Sequence, residues 1–159
     1  MMKSLLPAAA MTMSLAAAPL ALAADGGIAA MTGTYLLTQP NESQRVIALK
    51  PGGGASMVSQ GQHVRGYTSG LGTWQMTGPD SARAAIIDFN DPVDTDDGNG
   101  ASHSVYDLTF SDAVGGRFQA VTGAFEGKAF ARGQNPLGGD TAPMRTFGNQ
   151  FDGLRIGVE

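Results

Sequence analysis

Cysteine is absent from this 159-residue chain. Without thiols, the fold has no disulfide bonds and no thiolate to serve as a nucleophile or metal ligand. Charged residues are also sparse, at 15% of the chain, and acidic side chains outnumber basic ones by 14 to 10. An acidic chain lacks the basic patches that bind phosphate backbones or anionic membrane surfaces. We therefore expect no nucleic-acid partner and no binding to anionic membranes.

Catalytic motifs with a recognisable spacing are missing as well. The sequence contains no G-x-S-x-G elbow for a serine nucleophile and no H-E-x-x-H or H-x-H pattern for zinc. The glycine-rich segments Pro51–Gly54 and Gly70–Gly72 are not followed by the Lys-Ser/Thr pair of a phosphate-binding loop. These absences give no support to motif-based catalysis and predict no cofactor.

Two groups of candidate metal ligands lack the spacing that a metal site requires. His63 and His103 fall in predicted loops, and a zinc site would need a third protein ligand beside them. The segment 91–99 holds four aspartates, which suit a hard cation such as calcium. Counting from Asp94, however, places Val105 where an EF-hand has its bidentate glutamate. We interpret the segment as a soluble loop and the histidines as surface residues, and we predict no metal site.

The N-terminus has the features of a secretory signal peptide. Lys3 gives a positive start, residues 5–22 are apolar, and Ala21-Leu22-Ala23 matches an A-x-A cleavage site. A retained transmembrane anchor is the alternative, but alanines and two prolines weaken the transfer of this segment into lipid. We predict that residues 1–24 are cleaved, that no membrane span remains, and that the protein is exported to the periplasm or medium of a bacterium.

The remaining chain predicts an all-β domain. Its 23 glycines are about twice the usual share and argue against a helical bundle. After a flexible lead-in over 25–32, residues 33–159 alternate short β-prone runs with turn signals, and no helix of importance is expected. Consecutive hairpins favour a single antiparallel up-and-down β-barrel of about eight strands, with a two-sheet sandwich as the alternative. The predicted strands are Gly33–Thr38, Arg45–Lys50, Ala55–Ser59, Gly72–Thr77, Ala82–Asn90, Ser104–Ser111, Arg117–Ala131 and Gln150–Val158.

Gly72-Thr73-Trp74, Thr77-Gly78-Pro79 and Asp88-Phe89 stand in an order that resembles small secreted bacterial proteins with lipocalin-like or allene-oxide-cyclase-like barrels. The resemblance covers about half of the mature chain and includes no catalytic motif. True lipocalins carry G-x-W on their first strand, whereas Trp74 follows two or three earlier strands, so descent from lipocalins is not implied. What the resemblance implies is a closed β-barrel able to hold a small apolar molecule.

Aromatic side chains at alternating strand positions are candidates for the barrel interior. Their simplest interpretation is a packed core, but an eight-stranded barrel has room either for packed side chains or for one small ligand. Arg83 and Arg155 lie among apolar neighbours, and an inward-facing arginine would anchor a carboxylate or enolate; an outward-facing one would be ordinary surface. The predicted ligand-binding residues are Trp74, Phe89, Tyr106, Phe118 and Arg155.

Three functions are compatible with these features. The leading hypothesis is an exported barrel that binds a small hydrophobic molecule non-covalently. The second is a cofactor-free cyclase or isomerase for a polyene-type substrate, which needs mainly shape and one or two polar groups; an inward-facing acid or tyrosine in an open cavity would favour it. The third is a structural or interaction module of the cell envelope that uses the long loop Arg132–Asn149 as a contact surface. The sequence leaves the ligand and the oligomeric state open.

Overall fold

The computed structural model of this chain describes residues 23–90 and 100–157, and gives only the backbone for residues 23–26 and 63. Nearly all of the predicted signal peptide and the aspartate-rich segment 91–99 therefore lie outside the described residues. Both predictions stay as they were.

Eight antiparallel strands form a closed barrel in which each strand pairs with its neighbours in the chain and the last pairs with the first. This confirms the predicted barrel and excludes the two-sheet sandwich. Neither helix in the described ranges has the length and apolar character needed to cross a bilayer. The elements are α1 (Ala23–Met31), β1 (Gly33–Thr38), β2 (Gln44–Leu49), β3 (Gly54–Ser59), α2 (Gln62–Arg65), β4 (Gly70–Gly78), β5 (Ser81–Phe89), β6 (Ala101–Val114), β7 (Arg117–Phe130) and β8 (Arg145–Arg155).

The main departures from the predicted elements lie at the start of the chain, in β6 and in β8. The strand β6 extends three residues beyond the predicted Ser104–Ser111 at each end. The helix α1 occupies most of the segment that was expected to be a flexible lead-in. The strand β8 begins at Arg145, five residues before the predicted start, because its pairing with β7 extends to Ala129. The long loop is shorter by the same amount.

Alternation along the strands separates the core from the outer surface. On β6, Tyr106, Leu108 and Phe110 are at most 3% exposed, whereas Asp107 and Thr109 between them are exposed. This is the period of two that a strand imposes on its side chains. The inner faces of all eight strands together form one apolar core.

Inward-facing glycines leave the room that large rings need. A Cβ atom on Gly127 would overlap the ring of Phe147, and one on Gly123 would overlap the backbone carbonyl of Asp107 and lie 2.9 Å from Cζ of Phe151. The interior of an eight-stranded barrel is only wide enough for packed side chains, so a ring on one strand requires a small residue on the next. Part of the glycine content therefore serves packing rather than turns.

The two ends of the barrel differ. At one end, Met31 of α1 is fully buried in the core, and Arg155 donates hydrogen bonds to the carbonyl oxygens of Ala30 (2.9 Å) and Phe118 (2.6 Å) and to Oη of Tyr35 (2.8 Å). We call this the closed end. The opposite end, where α2 lies, β5 ends and β6 begins, is the cavity end.

Candidate functional site

A cavity of about 530 Å³ lies in the interior of the barrel, at the cavity end. This volume falls within the range of pockets that hold small organic molecules. Most of its lining side chains are polar, and two are apolar. They are Arg45, Met57, Arg65, Tyr67, Asp88, Asn90, Ser102, Ser104, Arg145 and Phe147.

A second concavity, of about 780 Å³, lies on the outside of the barrel. Most of its lining residues are the exposed members of the strand alternation, such as Asp107, Thr122 and Asp152. It is more open than the inner cavity, which the barrel wall surrounds, so the inner cavity is the better candidate site.

The cavity exists because the inner faces of the strands change from apolar to polar along their length. On β6 the inward side chains run from Phe110 and Leu108 at the closed end, through Tyr106, to Ser104 and Ser102 at the cavity end. Small hydroxyl side chains replace rings there, and they do not fill the interior. The lining of the cavity is therefore mostly polar, with Tyr67 and Phe147 as its aromatic side chains.

The same change occurs on β5 and β2. The inward series on β5 is Ala84, Ile86 and then Asp88, which pairs across the sheet with Ser102. On β2, Arg45 lies two residues before Ile47 and therefore on the same inward face of the strand. The register of the closed barrel thus brings one acidic and one basic side chain into the same polar chamber.

Arg45 is the basic group inside the cavity. Its Nη1 donates a hydrogen bond of 2.6 Å to Oη of Tyr106, and its guanidinium carbon lies 4.0 Å from the centroid of the Phe125 ring. A guanidinium has five N–H donors. Its Nε is buried without a hydrogen-bond partner in the described part of the chain. Buried donors in native proteins nearly always have a partner, so Arg45 retains capacity for an acceptor.

Asp88 is the acidic group inside the cavity, and it is only 5% exposed. Burial raises the pKa of Asp88 from 3.8 to about 6, and the positive charge of Arg45 and the Ser102 hydroxyl partly oppose this effect. Burial likewise raises the pKa of Tyr106, again with Arg45 opposing. A carboxyl group with a pKa of about 6 can gain or lose a proton near neutral pH, which is the property of a general acid or base.

Two further arginines stand at the rim. Arg65 ends α2, where Gly66 adopts the left-handed conformation (φ 67°) that stops the helix. Arg145 begins β8, and its guanidinium carbon lies 5.7 Å from the ring centroid of Phe147. Both rim arginines are exposed.

None of the predicted ligand-binding residues lines the cavity, and only Tyr106 is joined to its lining, through the hydrogen bond that its Oη accepts from Arg45. Trp74 faces inward as predicted, but its Nε1 donates to the carbonyl oxygen of Lys50 at 2.8 Å, in a turn at the closed end. Phe118 is partly buried near the closed end, 5.7 Å from the ring of Phe110. Trp74 and Phe118 therefore belong to the core rather than to the cavity wall.

The expectation that Phe89 lines the lumen is incorrect. Alternation turns Asp88 inward, so its neighbour Phe89 faces outward and is 63% exposed. Arg155 does face inward, but its bonds at the closed end bind it to the protein itself. Arg83 lies on the outer surface in an exposed ion pair of 2.7 Å with Asp107.

Of the candidate metal ligands, only His103 has a side chain in the described part of the chain. His103 lies on β6 rather than in a loop and faces outward, where burial and the charge of Lys128 lower its pKa. Within residues 23–90 and 100–157, no three histidine, aspartate or glutamate side chains group as a metal site. The segment 91–99 is outside the described residues.

Sequence reasoning missed the polar residues that line the cavity, above all Arg45, Asp88 and Arg145. One signal was available in the alternation of β5. Asp88 lies on the same face of the strand as Ala82, Ala84 and Ile86, and that face is otherwise apolar and turned to the core. Comparisons with protein-family models, with curated proteins and with solved structures gave no match. Function is therefore inferred from the cavity and its residues.

Proposed function

We propose that this protein binds a small molecule non-covalently in the cavity at the cavity end of the barrel. The observation that supports it is an interior chamber of about 530 Å³ lined by polar groups together with Met57 and Phe147. A mixed lining of this kind suits a ligand with an apolar body and at least one hydrogen-bonding group. The proposal keeps the hydrophobic ligand expected from the sequence and adds a polar group to it.

The packing of the core rings that contact Arg45 supports this proposal. Tyr106 and Phe125 stack with their ring centroids 5.2 Å apart, and Phe151 lies 6.2 Å from Tyr106. These rings belong to the core, and Tyr106 and Phe125 hold the guanidinium of Arg45, which lines the cavity. A chamber formed before the ligand arrives loses little conformational entropy on binding, which favours affinity.

Native mass spectrometry and thermal-shift assays against fatty acids, terpenoids and small aromatic compounds would test binding. Two variants of adjacent residues on β6 locate the site: Ser102→Phe places a ring in the cavity, and His103→Phe places one on the outer surface. We expect Ser102→Phe to lose the ligand and His103→Phe to retain it, with circular dichroism confirming that both fold. Equal binding by the two variants, or no binding by the wild type, would contradict the proposal.

Asp88 supports a second candidate function, a cofactor-free cyclase or isomerase. An inward-facing acid in an open cavity, with a pKa of about 6, is suited to move a proton on a bound substrate. Compounds that bind would be incubated with the protein in deuterated water and examined for isomeric products and for deuterium uptake. Catalysis predicts conversion that Asp88→Asn abolishes, and unchanged ligand would leave binding as the function.

We also propose that the chain is exported and cleaved near residue 24. The support is the pattern of Lys3, the apolar residues 5–22 and the A-x-A site. Cleavage there would leave most of α1 on the mature protein, where it covers the closed end. N-terminal sequencing of protein from the periplasm or medium should start within about two residues of Asp25; an intact Met1 would contradict export by this route.

A further inference from the structure

We infer that the ligand carries an anionic group, a carboxylate or a phosphate, which binds the guanidinium of Arg45 inside the cavity in competition with Asp88. This inference rests on the proposed small-molecule function and names the chemical class of the ligand. The anion is attached to an apolar body that contacts Met57 and Phe147, the two apolar residues of the lining.

The first support is the state of Arg45. Its guanidinium is fixed by the hydroxyl of Tyr106 on one side and by the ring of Phe125 on its face, and in the described ranges only Nη1 of its three nitrogens makes a hydrogen bond. The position of the fork is thus set, while donors remain unused. A planar guanidinium with free N–H groups matches the two oxygens of a carboxylate or phosphate.

The second support is the charge of the chamber. Three arginines, Arg45, Arg65 and Arg145, line it with a single described carboxylate, Asp88. The lining is therefore positively charged, although the whole chain is acidic, with a formal net charge of −4. A concave site of positive sign raises the local concentration of anions and speeds their entry.

The third support is that Asp88 and the ligand would compete for the same cation. Asp88 is buried close enough to Arg45 for the positive charge to act on its carboxyl group, yet the two form no ion pair within 4.0 Å in the described structure. The carboxylate therefore leaves the guanidinium unoccupied, while its negative charge opposes an incoming anion. The other ionisable groups of the lining are Tyr67 after α2 and the two rim arginines, and Tyr106 on β6 is hydrogen-bonded to Arg45. Protonation of Asp88 removes the one negative charge among them, so an anion should bind more tightly to the protonated form.

Matched probes that differ only in the head group test the inference. The probes are decanoic acid, decanamide, decyl phosphate and inorganic phosphate, measured by isothermal titration calorimetry at pH 7.5. We expect an anionic decyl probe to bind about ten- to hundredfold more tightly than decanamide, the range for a hydrogen-bonded charge pair. Whichever of the two decyl anions binds more tightly identifies the head group of the ligand. If inorganic phosphate bound more tightly than both, the claim that the ligand has an apolar body would be overturned.

Two arginine variants locate the charge effect. Arg45→Gln should reduce the preference for the anion over the amide to about threefold or less, because it removes the charged fork. Arg83→Gln, which removes the same charge from the outer surface, should leave the preference unchanged. If Arg45→Gln does not fold, Arg145→Gln at the rim should still weaken anion binding several-fold.

The outcomes distinguish the two proposals. Failure of every probe to bind would contradict the small-molecule function itself. Equal affinity for decanoic acid and decanamide in the wild type, or a preference that survives in Arg45→Gln, would overturn the anionic class while leaving small-molecule binding intact.

A permanently charged probe tests the competition with Asp88. Decyl sulfonate keeps its charge throughout, so any change in its affinity between pH 8 and pH 5 comes from the protein. We expect the affinity of the wild type to rise about tenfold as the pH falls through this range, and Asp88→Asn to bind tightly and equally at both ends. The same pH dependence in Asp88→Asn and the wild type would overturn the role given to Asp88.

Discussion

Asp88 is a residue at which burial and ionisation oppose each other. Its carboxyl group is 5% exposed and its pKa is raised from 3.8 to about 6 by that burial. The folded protein therefore holds a proton on Asp88 over a pH range in which the unfolded chain has released it. Protonation of Asp88 thus favours folding.

The pH dependence of stability should reveal this group. Because its pKa is higher in the folded state, the stability that Asp88 contributes is complete below about pH 4. It is lost as the pH rises to about 6, by about 2–3 kcal/mol in total. Chemical unfolding at several pH values should show Asp88→Asn free of this loss and more stable than the wild type at pH 7.

A matched control uses a carboxylate outside the barrel. Asp107→Asn removes an exposed charge and its ion pair with Arg83, and it should keep the wild-type slope. If Asp88→Asn also keeps that slope between pH 4 and 7, the carboxyl group is not protonated on folding as described.

The hydroxyl of Tyr106 should be measurable in the same way. Tyr106→Phe removes the acceptor for Nη1 of Arg45 and leaves a second donor of that guanidinium without a protein partner. We expect a loss of about 1–3 kcal/mol in the free energy of unfolding, the cost of an unsatisfied buried group beside a charge. Tyr67→Phe, which loses a hydroxyl bond to Ser59 Oγ nearer the barrel mouth, should cost less. Equal effects would argue against a special role for the Arg45–Tyr106 contact.

At the scale of elements, the period of two accounts for what the sequence could predict. Tyr106 and Phe110 alternate with polar residues, so their inward direction follows from the strand alone. Closure of the barrel also followed from the count of strands and the shortness of their turns. The lengths of β6 and β8 did not, because each is set by how far its partner strand continues.

The cavity could not be predicted in the same way. Asp88 and Arg45 lie 43 positions apart and meet only through the register of the closed sheet. Phe89 was a reasonable candidate as an aromatic residue in a strand. The alternation of side chains along β5, however, turns its neighbour Asp88 inward and Phe89 outward. Composition cannot reveal where inner faces change from large to small side chains, since this depends on which residues are opposite one another.

The strand β4 contains a position where the sheet accepts only glycine. A Cβ atom on Gly72 would overlap the backbone carbonyl of Ala85 on β5, and a backbone atom has little freedom to move aside. We expect Gly72→Ala to destabilise the fold by about 2–4 kcal/mol in thermal or denaturant unfolding.

A glycine in the long loop provides the comparison. Gly139 has no atom within 4 Å of its Cβ position and no positive φ, so Gly139→Ala should change stability by less than about 1 kcal/mol. Similar losses in the two variants would show that backbone crowding at Gly72 is not the cause.

At the scale of the whole molecule, the barrel separates stability from binding along its axis. At the closed end, α1 and the aromatic core fill the interior, and Arg155 joins α1, β1 and β7 through three hydrogen bonds. At the cavity end, the same inner surface is polar and unfilled, and Arg45 has donors without partners among residues 23–90 and 100–157. Among the described residues, the two inward-facing arginines thus differ in how firmly the protein holds them, because Arg155 donates three hydrogen bonds and Arg45 donates one.

This separation predicts opposite phenotypes for the two arginines. Arg155→Gln should lower the free energy of unfolding by about 2–4 kcal/mol, because it leaves three acceptors on three elements without their charged donor. At a temperature where the variant is folded, it should keep the wild-type preference for an anionic decyl probe over its amide, since the closed end does not contact the cavity. Arg45→Gln should lose that preference with a smaller change in stability, because the residue makes one hydrogen bond rather than three. Calorimetric titration and denaturant unfolding of the same two variants would measure both properties, and a loss of anion preference in Arg155→Gln would mean that the two ends of the barrel are coupled.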